Sequence, residues 1–193
     1  MQYTDLHRHS RCVSQGELTM KGRALPVAKR AAVHTKSVEL MPGDVATGLA
    51  GDHFKTLLGS CVSVILTDPR RTVATMCHIV HAGQPNVANA GNTAYAIVAM
   101  GDMFDRLTTV GVIPTRCEAY VFGGGNMFPA LFSKQLVGEN NVEWVLDYLH
   151  AQGIPVVDHC LGGAGYRKVS WTVGPSEPLV ETVFPEQGHS DGR

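Results

Sequence analysis

No stretch of this sequence is apolar over anything like the ~20 residues that a membrane-spanning helix needs. Its first residues, MQYTDLHRHSRCVSQG, lack the apolar core of a secretory signal. The expectation is a cytoplasmic protein with no membrane insertion. Charge is sparse: 17% of residues are charged and the net charge is −1. That balance excludes a protein held to nucleic acid by its overall field. The five cysteines (Cys12, Cys61, Cys77, Cys117 and Cys160) include no CxxC pair and are odd in number. Such a set points to reduced thiols in a cytosol and offers no zinc-finger spacing. Internal repeats and low-complexity tracts are absent as well.

What remains is an ordinary globular chain. At 193 residues and 44% hydrophobic it has enough material for one core. Residues 1–36 stand apart, because seven Lys/Arg (Arg8, Arg11, Lys21, Arg23, Lys29, Arg30, Lys36) face only Asp5 and Glu17 there. With weak periodicity, this stretch reads as a basic, flexible extension. A single domain is expected over 37–184, followed by a flexible tail over 185–193.

The punctuation is clear along that domain. Ser37 to Leu40 reads as a strand ended by Met41-Pro42-Gly43-Asp44, and Gly51-Asp52-His53 as another turn. Cys61 to Thr67 and Val73 to Val80 read as a hairpin around Asp68-Pro69-Arg70-Arg71. Asn92 is the expected cap of a helix whose inner face is Ala96, Val98 or Ala99, Met103, Leu107 and Val110, with Gly111 as its stop. A second helix is expected from Asn140 or Asn141, burying Val142, Val145, Leu146 and Leu149, and ending at Gly153. Arg116 to Phe122, Ile154 to Asp158, Tyr166 to Val173 and Leu179 to Phe184 complete the strands. Hairpins mixed with two long helices indicate an α/β or α+β layered domain.

The chemistry concentrates in Gly59-Ser60-Cys61. This small turn delivers a cysteine to the mouth of the run Val62-Ser63-Val64-Ile65-Leu66, and His78 follows on the next run. A thiol and an imidazole on adjacent strands supply a nucleophile and the base that activates it. The plainer alternative is that Cys61 is a core residue, as cysteines before β-branched runs often are. Cys77, Cys117 and Cys160 are read that way. Cys77, His78 and His81 raise the idea of a metal, but alternation along a strand turns 77 away from 78 and 78 away from 81. The glycines at 123–125 lead into no GK[ST], so close backbone packing explains them better than phosphate binding.

Five ordered segments resemble the CheD family of bacterial chemotaxis proteins. They are Thr56-Leu57-Leu58-Gly59-Ser60-Cys61-Val62-Ser63-Val64; His78 at the family's spacing; Phe122-Gly123-Gly124-Gly125-Asn126-Met127-Phe128; Val137-Gly138-Glu139-Asn140-Asn141; and Leu161-Gly162-Gly163 with Arg167. Departures from the family pattern fall at Cys160, Asn140, the stretch after His78 and Ala90-Gly91-Asn92-Thr93-Ala94. The resemblance implies a three-layer sandwich of face-to-face mixed β-sheets with helices on one side.

It also implies a protein-glutamine deamidase acting on methyl-accepting chemotaxis receptors, with a CheC-type phosphatase as a further partner. Cys61 would be the nucleophile, His78 the base, and Thr56 the residue that orients the imidazole. Gly59 and Ser60 would support the oxyanion, and Arg167 would anchor its loop. No metal or organic cofactor is implied. The competing classes are a non-catalytic adaptor for receptor or phosphatase, and a cysteine amidase with another substrate.

Overall fold

The computed structural model of the chain describes residues 35–126 and 137–184. The predicted tail, Cys12, Met127 and Phe128, and all but residues 35–36 of the predicted extension lie outside them. Among the described residues, nine strands and two α-helices follow in order: β1 (Ser37–Leu40), β2 (Val45–Leu49), β3 (His53–Leu58), β4 (Val62–Thr67), β5 (Val73–Ile79), α1 (Ala96–Thr109), β6 (Glu118–Gly123), α2 (Val137–Ala151), β7 (Val156–Leu161), β8 (Tyr166–Thr172) and β9 (Leu179–Val183).

The strands form two mixed sheets. One has the order β1-β3-β8-β9, the other β2-β5-β4-β6-β7. The pairs β1/β3 and β6/β7 are parallel, and the rest are antiparallel. Side-chain alternation sorts the five-stranded sheet onto two cores. Val62, Val64, Leu66, Cys77, Ile79, Ala119 and Val121 pack against α1 and α2. Ile65, Ala74, Met76, Tyr120 and Phe122 point the other way, onto Leu40, Phe54, Leu58, Val169 and Trp171 of the four-stranded sheet. The result is helices on sheet on sheet, the expected sandwich.

The hairpin β4–β5 lies at the centre of its sheet and is buried on both faces. That explains a run of six buried residues where a half-exposed strand would alternate. Asp68 closes its turn. Burial would raise the Asp68 carboxyl, but the backbone N–H groups of Val73, Thr72 and Arg70 outweigh this and hold it below the usual range.

Two strands escaped the sequence reading, β2 and β3. Two caps were misplaced. α1 begins at Ala96 with Tyr95 at its cap and no side-chain cap bond, while Asn92 Oδ1 instead accepts from the Ala94 N–H at 2.9 Å in the preceding turn. α2 begins at Val137, so neither Asn140 nor Asn141 caps it. Asn141 is an interior helix residue, 1% exposed.

Candidate active site

Thr56 sits on β3, whose alternation turns Phe54, Thr56 and Leu58 inward and Lys55 and Leu57 outward. β1 runs parallel beside it with Leu40 opposite Thr56. The Thr56 hydroxyl donates to the Leu40 carbonyl at 2.8 Å and meets His78 Nδ1 at 2.9 Å. One hydroxyl proton cannot serve both contacts. With that proton on Leu40, Nδ1–H of His78 must be the donor to Thr56 Oγ1. The Leu40 carbonyl lies 3.4 Å from the same Nδ1 and reinforces the assignment. The imidazole is thereby oriented, with Nε2 left as the free base.

His78 is on β5, directly opposite Ser63 of β4. Its backbone is gripped on the outer side by the predicted turn: Gly43 N–H donates to the His78 carbonyl at 2.8 Å, and His78 N–H donates to the Asp44 carbonyl at 2.9 Å. Gly43 takes φ +89° there, which suits a residue without Cβ. The ring is buried, 3% exposed. Burial pushes its pKa down, against smaller upward pulls from the Leu40 carbonyl and the Asp44 carboxylate.

Cys61 lies one residue before β4, beyond the last ladder pair, Val62 with Ile79. It is half-buried and packs against the core between the sheets, the side onto which Met76 and Ala74 also project. Along β5 that is the side of His78, because Cys77 and Ile79 face the helices. Cys61 and His78 therefore both face the space between the sheets, at the open end of the β4–β5 hairpin. Burial pushes the Cys61 thiol up. Burial thus pushes both groups toward their neutral forms.

The turn ahead of Cys61 is fixed by its carbonyls. Gly125 N–H donates to Gly59 O and Gly124 N–H to Cys61 O, both at 2.8 Å. Asn141 Nδ2 donates to Ser60 O at 3.3 Å. With its three carbonyls engaged, the turn has its N–H groups as the donors that could meet an oxyanion. Gly123 explains the glycine run: its φ is +110°, and a Cβ there would fall on the Cys61 carbonyl oxygen. At Gly125 a Cβ would stand 2.9 Å from both Arg167 Nη1 and the Gly165 carbonyl. Arg167, itself 3% exposed, donates to the Gly165 and Gly162 carbonyls and so ties the Leu161-Gly162-Gly163 loop.

Cys77 and His81 have surroundings of their own. Cys77 is fully buried on the helix side, with its thiol pushed up to about 12 by burial. Cys117 and Cys160 are buried too. The His81 ring is tilted against Tyr95 at 5.1 Å between centroids. Among the described residues no three His, Cys, Asp or Glu gather as a metal-holding group. What sequence reasoning missed was the use of Asn141 and of the Gly43–Asp44 backbone. The turn was legible, but its contact with His78 was not.

Residues 81–182 match the family model described as CheD chemotactic sensory transduction. That segment starts after His78. The match to individual relatives reaches further. The chain is 34% identical over 150 residues to a protein named probable chemoreceptor glutamine deamidase CheD 2 from Albidiferax ferrireducens, covering 76% of this chain and 87% of that one. It is 31% identical over 156 residues to probable chemoreceptor glutamine deamidase CheD of Bordetella petrii, covering 80% and 70%. A third relative, from Rhodospirillum rubrum and of the same name, is 33% identical over 144 residues, covering 75% and 81%. Continuous spans of such length in a 193-residue chain include residues 56–78. On the family model and on these relatives together, the chain belongs to the CheD family.

Proposed function

We propose that this protein is a cytoplasmic protein-glutamine deamidase acting on methyl-accepting chemotaxis receptors, with residues 37–184 as the working unit. The observation that carries the proposal is the Thr56–His78 hydrogen bond at 2.9 Å, on the face that Cys61 shares. It orients the imidazole on the side where a half-buried thiol also lies, and an adaptor would have no need of that arrangement. The relatives' names supply the substrate.

The reaction uses only these side chains and water. His78 Nε2 takes the Cys61 proton as the sulfur attacks the amide carbon of a receptor glutamine. The oxyanion is held by N–H groups of the Gly59-Ser60-Cys61 turn, that of Cys61 first. Collapse breaks the C–N bond, and the His78 proton leaves with ammonia. Water then attacks the γ-glutamyl thioester, giving up a proton to His78. The C–S bond breaks, and glutamate and the thiol are regenerated. Thr56 holds the imidazole in one tautomer throughout. A CheC-type phosphatase is a further proposed partner, on the family resemblance.

The test is mass spectrometry of a receptor cytoplasmic domain incubated with the protein. Each deamidation replaces NH₂ by OH and adds about one dalton, at specific glutamines. Wild-type protein is expected to produce the shift and Cys61→Ala to produce none. Modification by Cys61→Ala at the wild-type rate would remove the cysteine from the mechanism.

A further inference from the structure

The buried face of α2 carries Gly138, Asn141, Val145 and Leu149. One polar side chain in that stripe must find partners, because an unpaired amide buried there would be costly. Asn141 finds two. Its Nδ2 donates to Val80 O at 3.0 Å and to Ser60 O at 3.3 Å. The two acceptors lie just outside different strands, β4 and β5, past the end of their ladder at Val62 and Ile79. Ser60 immediately precedes Cys61, and Val80 is two residues beyond His78. A single amide, with one N–H for each carbonyl, spans the open end of the ladder where backbone pairing has stopped.

The consequence for chemistry follows from peptide planarity. Across the Ser60–Cys61 bond the C=O and N–H point in opposite directions. α2 packs on the helix side of the five-stranded sheet, while the Cys61 and His78 side chains face the other side. A Ser60 carbonyl held toward α2 therefore turns the Cys61 N–H away from the helices, toward the side on which the thiol acts.

We infer that Asn141 is a positioning residue for acyl transfer at Cys61. It aims the Cys61 N–H at the developing oxyanion and fixes the nucleophile's turn to the strand that carries the base. This rests on the deamidase reading above.

The test uses Asn141→Ala and Asn141→Leu, the latter filling the volume without donors. Two reactions of Cys61 are compared at 25 °C. Deamidation of the receptor fragment passes through an oxyanion, whereas alkylation by iodoacetamide displaces iodide and forms none. In both variants kcat is expected to fall on the order of 10- to 100-fold with KM unchanged, somewhat less than the cost of deleting an oxyanion donor outright. Alkylation of Cys61, read on its own peptide, should stay within about three-fold of wild type, since the thiol and its base are still present. A kcat within about three-fold of wild type would overturn the inference. So would a parallel collapse of kcat and alkylation, or failure of both variants to fold, since Asn141 would then be simply structural. Wild-type protein run alongside keeps the two proposals apart: if it leaves the receptor unmodified, the deamidase reading itself fails.

Discussion

His78 is where a single residue's environment has the widest consequences. Its ordinary pKa is about 6.5 in an unfolded chain, and burial lowers it in the folded protein. As pH falls below about 6.5, the unfolded chain takes up a proton that the folded one refuses until its lower pKa is reached. Stability is therefore fully present above about 6.5 and declines below it, by at most about 1.4 kcal/mol per pH unit from this one group. His78→Gln cannot titrate and should lack that decline. Urea unfolding of both proteins at pH 7.5 and 5.0 checks this: wild type should lose stability relative to the variant on acidification. The opposite outcome, a wild type gaining on the variant, would mean that folding favours the imidazolium. At this scale Cys61, His78 and Thr56 were legible as residue types at spacings that resemble a family. The tautomer was not, because it depends on the Leu40 carbonyl, sixteen residues before Thr56 and brought beside it only by parallel pairing.

Among the elements, the glycine-rich end of β6 does for the site what no side chain could. β6 pairs with β4 so that Gly123 lies opposite Val62, against the Cys61 carbonyl. Gly123→Ala would place a methyl on that oxygen at a backbone angle that L-residues disfavour. It should cost upwards of about 2 kcal/mol in urea unfolding and most of the deamidase activity. Gly153 provides the control: its φ is also positive, at +69°, but nothing lies near its Cβ position. Gly153→Ala should cost only about 1 kcal/mol and leave ammonia release unchanged. Equal behaviour of the two variants would reduce Gly123 to a matter of backbone angle alone.

The same contrast explains which elements were readable. Val73–Ile79 and Val62–Thr67 announce themselves by apolar content around Asp68-Pro69. β2 does not: Val-Ala-Thr-Gly-Leu is weak as a strand, and its Gly48 is there because Phe54 and Asp52 press against it from the following turn and strand. β3 has a period of two, but its inward set includes Thr56, a polar residue in an apolar slot. Asn141 was misread for a related reason. Asparagine ahead of an apolar run signals a cap from sequence alone, and only the packing of α2 over the β4–β5 opening turns it into an interior donor.

Taken as a whole molecule, the sandwich mounts a half-buried thiol at the end of its central hairpin, with His78 and Thr56 buried between the sheets. Such a thiol can be approached by a side chain projecting from another protein's surface. Cysteine and imidazole chemistry does not by itself select among amides, so selectivity must come from contacts remote from the reacting carbon. A receptor fragment brings those contacts, and free glutamine brings only its own few atoms. The expected preference for the receptor fragment is at least about 100-fold in kcat/KM, because truncated substrates lose the binding that positions the reacting groups. Ammonia release from the two substrates, measured side by side at the same protein concentration, decides the matter. Comparable efficiency would point to a small-molecule amidase built on this fold.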